Sequence, residues 1–101
     1  MAEIALRLTG PDLASRKTAA IERNTLLSHV AAGNRIRVDL SRVVSLSYAY
    51  ADELFGVLVV VKGWGWLTKN VRLSNANERV LRVAAEVICR RLKEIRCNEN
   101  H

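Results

Sequence analysis

The sequence predicts an α/β layer fold, with a mixed, mostly parallel sheet of three or four strands and three helices. Three observations carry this. Short segments of period-2 alternation take turns with longer apolar stretches of helical period, in the order strand, helix, strand, helix, strand, helix. The ambiguous apolar run at 57–61 reads as helix, because a strand there leaves too little chain for a crossover from Leu40. The chain has 101 residues, 50% of them hydrophobic, which suits one domain, residues 1–101, with a real core and argues against disorder.

Ile4, Leu6 and Leu8 alternate with Glu3, Arg7 and Thr9 as a first strand, which Gly10-Pro11 ends. Asp12 is a candidate N-cap for a helix over 13–32. Leu13, Ala20, Leu27 and Ala31 share one face of it, flanked by Ala19, Leu26 and Val30. Gly33-Asn34 is its stop signal. Arg16 and Arg23 project near the stripe edge, where their alkyl stems can cover the core.

Ile36, Val38 and Leu40 alternate with Arg35, Arg37 and Asp39 as the central strand. Val43 and Leu46 anchor the loop that follows, and Ser41, Ser45 and Ser47 favour turns through local hydrogen bonds. The next helix covers 50–62, with Tyr50, Leu54, Leu58 and Val61 on one face. Asp52 and Glu53 in its first turn complement the helix dipole. Gly63-Trp64-Gly65-Trp66 reads as a turn whose rings close the bottom of the core, the alternative being an exposed interface. An extra edge strand fits near 65–70. Val71 and Leu73 make a third strand, and Asn77 caps a last helix with the stripe Leu81, Ala84, Ala85, Ile88, Leu92 and Ile95. Its outer face is basic, through Arg79, Arg82, Arg90 and Lys93. Residues 98–101 read as a frayed tail.

The segment from Asp39 to Gly56 also resembles a family. Asp39-Leu40-Ser41-x-Val43, a Ser-rich loop and an apolar helix are similar to the STAS domain of anti-anti-sigma factors. Tyr50-Ala51-Asp52-Glu53-Leu54-Phe55-Gly56 is closer to a bacterial STAS-like family of unknown function. Ser15-Arg16 opening a helix and Leu73-Ser74-Asn75-Ala76-Asn77 before the last helix fit the same pattern, so the likeness covers most of the chain. It implies a small STAS-like fold and a non-catalytic regulatory module docking on an ATP-binding kinase-like regulator. In anti-anti-sigma factors this loop carries a phosphorylated serine. Aligning Asp39 and the run 50–54 puts Ala49 at that position. Alanine has no hydroxyl, so a switch that adds roughly −1.5 to −2 charge cannot operate there.

In parallel sheets, partners meet the edge where strands end and helices begin. The loops 9–16, 41–50 and 74–77 share that edge, bringing helix N-termini, hydroxyls and Arg16 together as a dock for a partner loop or an anion. The candidate partner-binding residues are Ser45, Ser47, Tyr48, Ala49, Tyr50, Asp52 and Arg16. Tyr48 and Tyr50 suit interface anchors, although Tyr50 also fits a core ring on its helix.

Other classes find less support. The net charge of +6 leaves nucleic acid open, through the last helix with Arg16, Arg35 and Arg37, but no helix-turn-helix or stacking platform is evident. His29 and His101 belong to no catalytic arrangement, and no phosphate-cradling Gly loop or metal-ligand spacing occurs, so no cofactor or metal is expected. Asp39 and Asp52 could in principle form a carboxylate pair, but Asp39 better suits a tie to loop N–H groups. Cys89 and Cys97 read as reduced thiols. The start Met1-Ala2-Glu3-Ile4 lacks a basic leader, and the apolar run 54–61 is far short of the ~20 residues that span a bilayer. A cytoplasmic, membrane-free protein is expected; monomer or homodimer stays open.

Overall fold

A computed structural model describes residues 2–99. The central sheet has three strands, β1 (Glu3–Arg7), β3 (Arg35–Asp39) and β5 (Val71–Ser74), in the order β1-β3-β5 and all parallel. A second, two-stranded parallel piece pairs β2 (Asp12–Leu13) with β4 (Ser45–Leu46). Helix α1 (Arg16–Ala31) connects β1 to β3 by way of β2. One long helix follows β4, as α2 (Tyr48–Ala51), a π-helical turn (Asp52–Gly56) and α3 (Val57–Lys62). Helices α4 (Trp64–Asn70) and α5 (Glu78–Glu99) complete the chain.

The period-2 pattern explains the sheet. Ile36 and Val38 are buried against the helices, whereas Arg35 is exposed and Arg37 half-exposed on the other face. All-parallel sheets are normally covered on both faces. This one carries helices on one face and polar side chains on the other, where Glu3 bridges Arg37 (3.4 Å) and Arg72 (2.9 Å). The π turn packs between α1 and α5, so nearly all its side chains are buried, among them Asp52, Leu54 and Phe55. The apolar run 54–59 that begins in this turn is therefore buried on nearly every side.

Capping follows local chemistry. Ser15, not Asp12, caps α1, its hydroxyl accepting from the Thr18 N–H at 3.2 Å. Asp12 lies instead in β2, so the expected start at 13 moves to Arg16, as the Ser15-Arg16 opening implied. At the C-terminus, Gly33 (φ 94°) takes the left-handed position. Its N–H donates to Val30 O, and that of Asn34 to His29 O, which is a Schellman closure. Asn77 caps α5 as expected, accepting from the Val80 N–H at 2.8 Å.

Several expectations change. The edge strand near 65–70 and the turn at 63–66 are replaced by α4: Gly63 (φ 92°) breaks α3 and Leu67 anchors the new helix in the core. Trp66 is half-buried beneath Lys62, whose ammonium lies 5.8 Å from the ring centroid. Trp64 is 49% exposed, beside a shallow apolar cleft lined by Phe55, Leu67, Val71, Leu73 and Ile88. Val61 leaves the expected stripe and is exposed, because the extra residue of the π turn brings Val59 into the core beside the expected Leu58. The stripe of α5 is likewise centred on Val80, Val83, Ala84 and Val87, with Leu81 and Ala85 exposed. Helix α5 runs through Glu99 rather than fraying at 98, and residues 100–101 of the expected tail lie outside the described residues. Cys89 and Cys97 are exposed and unbonded. Among the described residues no helix is long and apolar enough to cross a membrane.

Gly56 is a close-approach position. A Cβ added there would lie 2.5 Å from Asp52 Oδ1, 3.2 Å from Arg91 Cγ and 3.2 Å from Val87 Cγ1. Gly65 has nothing within 4 Å of the same atom. Urea unfolding is therefore expected to show Gly56→Ala destabilised by about 2 kcal/mol through overpacking, and Gly65→Ala unchanged or stabilised by about 0.5 kcal/mol through helix propensity. Equal effects at the two sites would contradict this packing.

Candidate functional site: the loops at the C-terminal edge of the sheet

Parallel strands put three loops at one end, and hydrogen bonds lock them together. The Val44 and Ser45 N–H groups donate to Pro11 O at 2.7 and 2.9 Å, and the Ser47 N–H to Leu13 O at 2.9 Å. The Leu40 N–H donates to Ser74 O at 2.9 Å. The Asn77 amide donates to the carbonyls of Val43 (3.3 Å) and Val44 (3.0 Å), so the cap of α5 also holds the 40–47 loop. The edge is thus a cross-linked platform.

Asp39 is a tie within this platform. Its carboxylate accepts from the Ser41 N–H (3.0 Å), the Asn75 amide (3.2 Å) and the Arg7 guanidinium (3.2 Å). The Ser41 backbone donor, with the Asn75 amide, holds its carboxyl far below the usual carboxylate range. Asn75 reaches this position with φ 59°, a left-handed conformation that asparagine tolerates.

The expected partner-binding residues divide into two groups. Ser45, Ser47, Tyr48 and Ala49 lie on the accessible edge. Ser45 donates from its hydroxyl to Asp12 Oδ1 at 2.6 Å. Ser47 is the N-cap of α2, its Oγ accepting from the Tyr50 N–H at 3.0 Å. Tyr48 is 50% exposed, and its hydroxyl donates to Glu86 on α5. That bond to a carboxylate holds the Tyr48 phenol above the usual tyrosine range. Ala49 is half-buried beside it.

Tyr50, Asp52 and Arg16 are engaged in the fold. Tyr50 is buried, and desolvation pushes its phenol up to about 12, so it is a core ring and not a surface anchor. Asp52 is 5% exposed and clamped by Arg91, Nε to Oδ1 at 2.7 Å and Nη2 to Oδ2 at 2.8 Å. Arg16 Nη1 approaches the same carboxylate at 3.4 Å and Glu53 at 3.7 Å, and Arg90 stands 4.0 Å away. The Arg91 hydrogen bonds hold the Asp52 carboxyl below its ordinary range. This ion cluster joins α1, the π turn and α5, and it corrects the expectation that Asp52 faces a partner.

Two residues were missed in the sequence. Arg91 continues the buried spacing of Val80, Ala84 and Val87, and an arginine on an apolar stripe facing an acidic residue was the available signal. Val44 was passed over as a loop residue, yet it is 58% exposed and fixed by the bonds to Pro11 and Asn77. The arginines expected to serve nucleic acid divide into two sets, and Arg16 and Arg90 meet at Asp52. Arg35 and Arg37 face away from the helices, whereas Arg79, Arg82 and Arg90 project from α5 within the helical layer. No group of three or more His, Cys, Asp or Glu side chains suited to a metal occurs among the described residues.

Comparison with protein-family models, with curated proteins and with solved structures returns no match for this chain.

The Asp52 cluster sets a pH dependence. A carboxyl held below its unfolded value stabilises the fold above about pH 4 and loses that contribution as pH falls. Asp39 acts in the same direction. Asp52→Asn is expected to cost about 2 kcal/mol at pH 7, discounted from a fully buried pair because Arg91 is partly solvated. Stability of Asp52→Asn should also fall less steeply than wild type as pH drops from about 5 to 2, followed by urea midpoints. Parallel curves for the two proteins would refute the assignment.

Proposed function

We propose that the protein is a non-catalytic regulatory module of anti-anti-sigma-like character. It docks through the 45–52 segment onto an ATP-binding kinase-like regulator, by analogy with the STAS-like pattern of its sequence. The observation that carries this reading is Tyr48. It is a half-exposed aromatic at the start of a long helix, on a loop cluster fixed by cross-loop hydrogen bonds. Rigid, amphipathic side chains at fixed positions are what interface centres use, since little entropy is lost on binding. Within the segment, Ser45, Tyr48 and Ala49 form the contact surface. Tyr50 and Asp52 shape it from inside, and Arg16 supports it through Asp52.

Ala49 stands where the resemblance puts a phosphoacceptor, so docking in this reading is not switched by phosphate at that position. Nearby hydroxyls have other work: Ser47 caps the helix and Ser45 bonds Asp12. Nucleic-acid binding through the arginines of α5 is the alternative.

The test is co-purification with an ATP-binding regulator encoded beside this gene. Tyr48→Ala should weaken that complex about tenfold or more with an unchanged unfolding midpoint. Ala49→Ser, incubated with the regulator and ATP, should gain a phosphate detectable by mass spectrometry. A complex indifferent to Tyr48→Ala places the contact surface elsewhere.

A further inference from the structure

We infer that the Tyr48 edge continues along α5 as a basic docking groove that takes an acidic, apolar-anchored peptide segment of the partner protein. The inference rests on the docking reading above and names what the partner must present.

The groove is a depression of about 520 Å³ lined by Val44, Asn77, Glu78, Arg79 and Arg82. Val44 is 58% exposed at one side. Its N–H is held by Pro11 O and its carbonyl by the Asn77 amide, so this apolar side chain is displayed from a fixed backbone. Tyr48 joins the same surface through its hydroxyl bond to Glu86, one helical turn beyond Arg82 and one turn before Arg90. Large apolar side chains held rigidly in solvent at a concave site mark an interface more strongly than scattered ones.

Charge decides the occupant. Arg79, Arg82 and Arg90 lie along this side of α5, and Arg42 is exposed two residues before Val44. Glu78 offsets Arg82 at 3.5 Å, Glu86 keeps its charge beneath the Tyr48 hydroxyl, and Arg90 stands 4.0 Å from Asp52, so among the described residues the excess positive charge is carried by Arg42 and Arg79. The surface is left net positive around an apolar centre. A second copy of this chain would set arginines against arginines across a two-fold axis, which costs affinity. An acidic segment meets them with opposite charge, while one apolar side chain fits against Val44 and the Arg79 stem.

The test uses a short fluorescein-labelled peptide of alternating Glu and Leu, its Lys–Leu counterpart, and a duplex oligonucleotide, each titrated into the full chain at low and high salt. The Glu–Leu peptide should bind, weaken with salt and shift the amide NMR signals of Val44, Tyr48 and Arg82. The Lys–Leu peptide should not bind. Arg79→Glu with Arg82→Glu should lower Glu–Leu affinity about tenfold. The exposed Arg72→Glu on the far sheet face should leave it unchanged. Equal loss in Arg72→Glu, equal binding of both peptides, or shifts confined to other residues would overturn the groove. Oligonucleotide binding that shifts the same amides would replace the acidic segment with nucleic acid. With the regulator itself, loss by Tyr48→Ala but retention by the Arg79/Arg82 reversal would leave docking standing and refute the groove. Indifference to all three substitutions would refute both.

Discussion

The buried Asp52 carboxylate is the constraint around which the helices are arranged. Removing a carboxylate from water is costly unless its oxygens are matched, and Arg91 matches both, with Arg16 adding a third donor. Arg91 reaches it only because Gly56 has no side chain, and its stem lies along the space a Cβ would take. The π turn supplies the geometry, with the Val57 N–H bonded back to Asp52 O. Three helices are therefore registered by one charge cluster: α1 through Arg16, the long helix through Asp52 and α5 through Arg91. Arg23 adds to the joint by donating to the Glu53 carbonyl, a main-chain acceptor in the same turn.

This joint and the loop platform divide the labour. The cluster fixes how the helices stand, and the bonds among Pro11, Val44 and Asn77 fix how the loops stand upon them. Tyr48 lies where the two systems meet, at the first residue of the long helix and against α5. Its position is therefore determined from both sides. An interface residue held in this way loses little freedom on binding, which is the physical basis of the docking proposal.

Much of this was legible in the sequence, for identifiable reasons. The central strand announces itself because Ile36 and Val38 face a core while Arg35 and Arg37 face solvent. Gly33-Asn34 predicts its helix end because a left-handed residue is needed there. The helix at 57–61 followed from chain length, and the shared loop edge followed from parallel pairing. The rest had no local signature. Two-residue strands such as β2 and β4 are shorter than any period that alternation can reveal. The π turn is written in packing between α1 and α5, and no spacing in 52–56 announces it. The Gly-Trp-Gly-Trp stretch has the composition of a turn, yet burial of Leu67 makes it helical. For Tyr50 the helical spacing already offered a core ring beside the anchor reading, whereas Asp52 was expected at the surface because the arginine that matches it lies 39 positions away.

The sheet's bare side has a separate meaning for how the fold meets water. Its row sets one carboxylate, Glu3, between two arginines, Arg37 and Arg72, which leaves positive charge in the row and favours water over a hydrophobic neighbour. The side that a second helical layer covers in most parallel sheets is here kept wet by its own charges.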